Sequence, residues 1–483
     1  MRKIGDHAVV LGAGIAGLVA ARVLADGYQR VTVVERDRLT DSMKDRRGIP
    51  QARHVHLLVR EGTRILDELF PDLIEEMVVG GLPMIQDLTE LRFAPGGHPL
   101  LLSGRPEQPF ICQSSRSYLE GHLRARIRAL PGVEVIDNCE GIGPLTSPTR
   151  DRVTGVRILH REDGGAEQTI DTDLIVDATG RGSRTPAWLE TIRYPKPEEE
   201  KLEIQLKYAS RHLRLGPGAL GDRKLVAMGA QPARPTGFVL AAQEGDRWIL
   251  TAIGYDNHHP PIDPAGFIAF VEAIAPPDIV DAIRAAEPLD DIVAHRFPAN
   301  ARRRYDRLRR FPAGLLVFGD AICSLNPSYA LGMSVAMQQA KALRDSLDGG
   351  DRHLARRFFR AAAKPVDRAW MITVGGDLAL PQVRGPRPFS VRIVNAYLNR
   401  VMAAAERDTV LADRFFRVAG LEDPPARLFR LDTAFRAIAG GRRHSRLPAV
   451  GAPTEAGALT GPEGQSERQV MSVSPTRDED QQP

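Results

Sequence analysis

Apolar residues fall in short blocks along the first part of the chain. His7 to Leu11 is a compact apolar run, Ile15 to Asp26 repeats small and apolar side chains at helical spacing, and Val31 to Val34 is apolar again. That order predicts a strand, a short crossover helix and a second, parallel strand. Arg36 to Arg53 is polar, rich in Arg and Asp, and broken by Gly48 and Pro50, hence a loop. Helical spacing returns over Val55 to Phe70 and Arg116 to Leu130. Val133 to Ile136 predicts a strand, and Val153 to His160 with Gln168 to Asp171, joined through Asp163-Gly164-Gly165, predicts a hairpin. The wholly apolar Leu174 to Val176 suits a strand buried inside a parallel sheet.

From about residue 200 the pattern changes to β-type runs at Leu202 to Tyr208, Thr236 to Ala242 and Trp248 to Tyr255, expected to form a separate sheet. Helical stretches over Pro264 to Ala275 and Ile279 to Ala286 lead to an arginine-rich segment, His295 to Arg310, and then to an apolar strand, Leu315 to Phe318. Beyond Met333 almost everything to about residue 440 has helical spacing, and residues 447–483 are poor in large apolar side chains and read as a disordered tail.

Composition narrows the class. A chain of 483 residues, 43% hydrophobic and 26% charged, can bury the cores of two or three packed domains. A net charge of only +4, with no basic arm carrying interleaved aromatics, argues against nucleic acid as a partner. Three cysteines, Cys112, Cys139 and Cys323, have no CxxC spacing, so neither a disulfide framework nor a metal site is expected, and a cytoplasmic location fits. A strand that starts by residue 7 leaves no room for a signal peptide, and no apolar run approaches the roughly 20 residues that span a bilayer. Leu, Phe and Arg at helical spacing in the C-terminal region leave peripheral membrane contact open.

The chemistry enters at Gly12-x-Gly14-x-x-Gly17, placed at the first strand-to-helix turn, with Glu35 ending the second strand. In a dinucleotide site Gly12 permits the tight turn, Gly14 lets a pyrophosphate approach, and Gly17 packs helix on strand. The helix N-terminus then offers amide donors to phosphates, and Glu35 accepts from ribose hydroxyls. Late in the chain, Gly319-Asp320 follows an apolar strand and puts a carboxylate where ligands of open parallel sheets bind. Gly332 and Met333 then open a helix aimed at the same ligand. Taken alone, Gly-Asp after a strand is also an ordinary turn or cap.

In this order the motifs resemble the class A flavin monooxygenases, single-polypeptide hydroxylases and epoxidases typified by para-hydroxybenzoate hydroxylase. Gly12, Gly14, Gly17, Glu35 and Asp320 match the family's FAD contacts, and Arg116, opening a helix after Ser114-Ser115, matches an FAD-contacting arginine. The resemblance implies an α/β fold: a glutathione reductase-type FAD-binding Rossmann domain with an inserted β-sheet substrate domain and a C-terminal helical region. The FAD-binding domain is expected over 1–80, 111–190 and 290–350, the substrate domain over 81–110 and 191–289, and the helical region over 351–446. Two positions depart from the pattern: Thr179 stands where the family's central aspartate would be, which puts the use of NAD(P)H in doubt, and Cys323 replaces a histidine. Gly48 to His56, Asp177 to Arg184 and Asn326-Pro327-Ser328-Tyr329 look similar to the flavin epoxidases of polyether-antibiotic biosynthesis and to related FAD hydroxylases.

The implied activity is insertion of one oxygen atom from O2, through a flavin C4a-hydroperoxide and with NAD(P)H as reductant, into a lipophilic substrate such as a polyene or polyketide, by epoxidation or hydroxylation. The cofactor carries the hard chemistry, so no obligatory catalytic residue is expected. His54 and His56 are candidates, to be weighed against a helix-start or surface role. Arg36, Arg46, Arg47 and Arg53 are expected near the FAD, the last three as a neutralising loop that is equally readable as solvated. Tyr208, Phe238 and Trp248 are candidate pocket residues or ordinary core. The run Arg302-Arg303-Arg304 with Arg307, Arg309 and Arg310 reads as a solvated helix face before an NADPH phosphate site. Two other readings stay open: an FAD-dependent dehydrogenase or alkene reductase without oxygen transfer, and a non-catalytic escort protein on the FAD fold. Trp188, Trp248 and Trp370 are too far apart for the halogenase WxWxIP motif. Oligomeric state is not legible.

Overall fold

The computed structural model describes residues 3–40, 43, 45–46, 48–105, 111–162 and 164–442. Its first layer is a five-stranded sheet, parallel throughout, in the order Leu315–Val317, Leu174–Asp177, Gly5–Leu11, Tyr28–Val34, Val133–Ile136. These strands read as apolar runs without alternation because protein covers both faces. Helices Ile15–Gly27, Arg116–Arg128 and Gly332–Leu347 pack with the sheet, and Val153, Val156 and Ile158 from a smaller antiparallel sheet join the same core. That smaller sheet has three strands, Cys139–Thr146, Val153–His160 and Glu167–Asp171. Its first strand escapes the pattern because Gly141, Gly143 and Pro144 weaken it and its register shifts twice.

The second large sheet runs Cys323–Ser324, Val293–Arg303, Glu199–Arg214, Arg247–Tyr255, Thr236–Gln243, Leu225–Met228, Leu91–Ala94, with Glu287–Pro288 paired beside Glu199–Arg214. Alternation gives it two different faces. Leu206, Tyr208, Val239, Ile249 and Ile253 share a core with the C-terminal helices, whereas Ala209, Phe238, Leu240, Leu250 and Ala252 pack under helices Pro264–Glu272 and Pro277–Arg284. The C-terminal region is helical over Leu354–Asp377, Phe389–Ala405, Thr409–Ala419 and Leu431–Arg442. The expected disordered tail, 447–483, lies outside the described residues. Among those residues no helix is long and apolar enough to cross a membrane.

Two expectations are corrected. The helix expected over Val55 to Phe70 is Arg60–Leu69; the preceding residues are extended, and Leu58 bridges Cys112. The arginine-rich segment is no helix face: Arg302 and Arg303 end strand Val293–Arg303, and Tyr305–Arg307 is a single 3-10 turn. Their charges are met locally. Arg303 lies 3.2 Å from Glu199, Arg304 3.0 Å from Glu200, Arg307 3.1 Å from Glu198, and Arg302 pairs with Asp367.

Candidate functional site

Three α-helices carry a side-chain cap at their start: Ser115 Oγ accepts from the Tyr118 amide at 3.2 Å, and Asp263 and Asp408 do the same for theirs. The two helices that begin at the central cavity do not. Ile15–Gly27 starts after Gly14, and Gly332–Leu347 after Leu331, both without a side-chain cap or an acid in the first turn. Their first amides and positive dipole ends are left for something else to satisfy.

The cavity between them is about 540 Å³. At one end stands the glycine turn. Gly12 has φ +100° and a Cβ there would meet the Ala178 carbonyl at 2.8 Å; a Cβ on Gly17 would fall 1.8 Å from the Gly12 carbonyl oxygen. Gly14 faces only the Arg116 guanidinium, at 3.6 Å. Glu35, buried at the end of its strand, accepts from the Ala13 amide at 2.7 Å and from the Asp37 amide at 3.0 Å. Arg46 reaches the same carboxylate from the loop, with Nη1 3.2 Å from Glu35 Oε2, and also pairs with buried Glu120. Arg46 Nε has no hydrogen-bond partner although buried, and Arg116 Nε meets Glu120 Oε2 at 3.6 Å. Burial opposes the Arg46 charge, but Glu120 and Glu35 outweigh it and raise the pKa above the usual arginine value.

Opposite the turn, Asp320 lines the cavity with its side chain exposed to it. Its surroundings push the carboxyl pKa up, against the pull of Arg116 and Arg181. Gly332 sits beside it, where a Cβ would be 3.7 Å from Asp320 Oδ1. The Asp177-Ala178-Thr179-Gly180 loop closes this side. Buried Asp177 accepts from the Thr179 amide at 3.0 Å and from Ser183 Oγ at 2.6 Å, as well as from Thr185, so the Thr179 hydroxyl donates inward to Asp177. The uncapped helix starts, the side-chain-free glycine turn, Glu35 and the guanidinium groups of Arg46 and Arg116 at the cavity fit the FAD that the sequence implies.

The far end of the cavity is the inner face of the large sheet. Val239, Ile253, Tyr208 and Phe297 line it with Val55 and Leu57, and the Arg181 guanidinium lies 5.1 Å above the Phe297 ring. His54 is buried with Nδ1 2.8 Å from Ser210 Oγ, itself 2.7 Å from Thr251 Oγ1. Tyr208 meets the His54 ring edge-on at 4.5 Å, and His295 is 5.9 Å away. His56 donates from Nδ1 to the His54 carbonyl at 2.9 Å. Burial pushes both imidazoles down to about 3, helped by His295 and His56 at His54 and by Arg116 at His56. At neutral pH both are uncharged, able to exchange hydrogen bonds but weak as bases.

The structure thus brings Gly12, Gly14, Glu35, Arg36, Arg116, Asp320, Gly332, Met333, His54, His56 and Tyr208 to one cavity. Gly17 stands behind the turn. Three expected residues do not line it. Arg53 is largely exposed and its closest acid is Asp45, at 3.8 Å, because the turn that points Ala52 and His54 inward points Arg53 out. Phe238 and Trp248 belong to the opposite face of the sheet, with Phe267 and Val271, since a strand sends alternate residues to opposite sides. Arg47 lies outside the described residues. His295, Phe297 and Val239 line the cavity although no motif marks them, and Arg181 lines it from the Asp177 to Arg184 string, which assigned it no role.

Residues 7–348 match the family model described as FAD binding domain. The chain is 36% identical over 430 residues to Protein Rv3254 of Mycobacterium tuberculosis, covering 86% of this chain and 90% of that protein. It is 26% identical over 386 residues to kynurenine 3-monooxygenase of Salinispora arenicola, covering 76% and 78%. The crystal structure of a flavoprotein/dehydrogenase from Cytophaga hutchinsonii superposes with a TM-score of 0.65 at 14% identity, covering 91% of this chain and 99% of that one, a likeness of fold.

Proposed function

Since the chain belongs to the FAD-binding domain family of flavin-dependent monooxygenases, we propose that it uses NAD(P)H and O2 to insert one oxygen atom, by epoxidation or hydroxylation, into a lipophilic substrate held against the inner face of its large sheet. The observation that carries this reading is the continuity of one cavity from the glycine turn to the apolar and aromatic wall of Val239, Ile253, Tyr208 and Phe297. When bound, FAD supplies hydride acceptance and oxygen activation.

The residues of this chain do the rest. Gly12, Gly14 and Gly17 give the pyrophosphate its close approach, and the uncapped start of Ile15–Gly27 supplies amide donors. Glu35 accepts from ribose, with Arg36 and Arg46 beside it, and Asp320 accepts from the ribityl hydroxyls. Arg116 spans the middle, and the helix start at Gly332 and Met333 lends its dipole to negative charge on the ring system. His54 and His56 meet the substrate as neutral rings, and the apolar wall excludes water.

The reading is tested by supplying purified, flavin-loaded protein with NADPH or NADH, 18O2 and a lipophilic polyene. One 18O atom in the product for each reduced nicotinamide consumed is the expected result. A saturated product without label moves the assignment to an alkene reductase, and peroxide alone with every polyene and phenol offered removes the oxygen-transfer reading. Failure to retain or bind FAD at all would revive the escort reading.

A further inference from the structure

Behind the loop that walls the cavity at Pro327, Ser328, Ala330 and Leu331 lies a closed polar cluster around one carboxylate. Asp377, the last residue of helix Leu354–Asp377, is completely buried. Its Oδ1 accepts from Asn326 Nδ2 at 2.8 Å and from the hydroxyls of Tyr255 and Tyr329 at 3.2 Å each; its Oδ2 accepts from Asn300 Nδ2 at 2.7 Å. The network continues into the loop backbone: Asn300 Oδ1 accepts from the Asn326 amide at 2.6 Å, and Asn326 Oδ1 accepts from the Ser328 amide at 3.0 Å. Four segments distant in sequence therefore meet at one side chain.

Asp377 has no cationic partner within ion-pair distance among the described residues. Burial pushes its pKa up to about 6 even against the four donors, so the charge is held at a cost. What only a carboxylate provides here is acceptor capacity alone; an amide would turn two donors of its own toward four others. The preceding residue is adapted to the same end, since a Cβ on Gly376 would lie 2.3 Å from the Tyr329 hydroxyl. Past Tyr329 the chain turns through Ala330, at φ +56°, to start the helix at Gly332.

We propose that Asp377 is a positioning residue: by gathering Asn326, Tyr329, Tyr255 and Asn300 it fixes the 326–331 loop, and with it the cavity wall and the helix start at Gly332. The part that concerns flavin rests on the reading of this cavity as the FAD site.

The test pairs amide hydrogen exchange, which needs no flavin, with FAD titration, on wild type, Asp377→Asn and the exchange variant Asp377→Asn/Asn326→Asp. In Asp377→Asn, amides 328–332 should exchange at least about tenfold faster and the Kd for FAD should rise by at least about tenfold, while protection of Ile15–Gly27 stays as in wild type. The exchange variant, which restores a carboxylate facing an amide, should recover part of both, which a loss of packing would not. Should Asp377→Asn fail to fold, Tyr329→Phe removes a single donor and should raise both quantities about two- to threefold. Loop exchange at the wild-type rate overturns the proposal, and so does faster loop exchange with unchanged FAD affinity. A wild-type protein that binds no FAD sinks the flavin reading alone, and the exchange data then decide whether Asp377 fixes the loop.

Discussion

Arg46 Nη1 lies 3.2 Å from Glu35 Oε2, so the carboxylate expected to hold a ribose is shared with a buried arginine from the neighbouring loop. Asp37, at 3.7 Å, and Glu120 face the same guanidinium. Arg46→Ala leaves these acids without their central counter-charge and should cost about 3 kcal/mol, the low end for a broken buried pair because Arg116 and Arg124 remain near Glu120. Urea unfolding of the two proteins checks this, and an Arg46→Ala variant as stable as wild type would refute the charge argument.

Gly17→Ala puts a methyl group 1.8 Å from the Gly12 carbonyl oxygen, a backbone atom that cannot swing aside. The turn must open, so the variant should lose FAD on gel filtration even where it still folds. Retention of stoichiometric flavin would mean that the turn does not carry the pyrophosphate.

Asp320→Ala removes the carboxylate that faces the cavity without touching the core. Its Kd for FAD should rise about tenfold, the worth of a hydrogen bond to a charged group, and Asp320→Asn should fall between. Unchanged affinity in flavin titrations would take the ribityl role away from this residue.

His54 carries a stability cost in acid. Its pKa falls from the ordinary 6.5 to about 3 on folding, mainly through burial, so the unfolded chain binds the proton first. The stability it permits is complete above pH 6.5 and drains away as pH drops toward 3. His54→Asn keeps a polar partner for Ser210 and should lose about 2 kcal/mol less than wild type between pH 7 and pH 5. Parallel stability curves for the two proteins would contradict the assignment.

Phe238 and Val239 are neighbours in sequence and belong to opposite faces of one sheet. Phe238→Ala should cost about 3–5 kcal/mol in unfolding experiments while leaving ligand binding alone. Val239→Phe should instead narrow the cavity and weaken binding of a lipophilic polyene, with stability within about 1.5 kcal/mol of wild type. Similar polyene affinity in both variants would argue against this wall as the substrate surface.

The difference between those two residues also shows what a sequence can yield. The glycine turn, Glu35 and the Gly-Asp step were legible because each is fixed by the few residues around it: a tight turn, a strand end, a helix start. A strand over Thr236 to Ala242 sends alternate residues to two faces, but which face meets the cavity depends on helices Pro264–Glu272 and Phe389–Ala405 that pack from far away in the chain. The arginines at 302–304 gave no period of their own, and their partners Glu199 and Glu200 stand a hundred residues earlier. Asp377 was invisible for the same reason, as one acid at the end of a long helical stretch whose four donors come from elsewhere.

The strand order of the parallel sheet has a consequence for the nascent chain. Leu174–Asp177 pairs with Gly5–Leu11 on one side and waits for Leu315–Val317, about 140 residues further on, to cover its other edge. At a synthesis rate of about 5–20 residues per second that interval lasts on the order of 7–30 seconds. Throughout it the half-built sheet offers an unpaired row of amides and carbonyls to any passing strand, so the ribosome finishes the sheet edge long after it has begun the sheet.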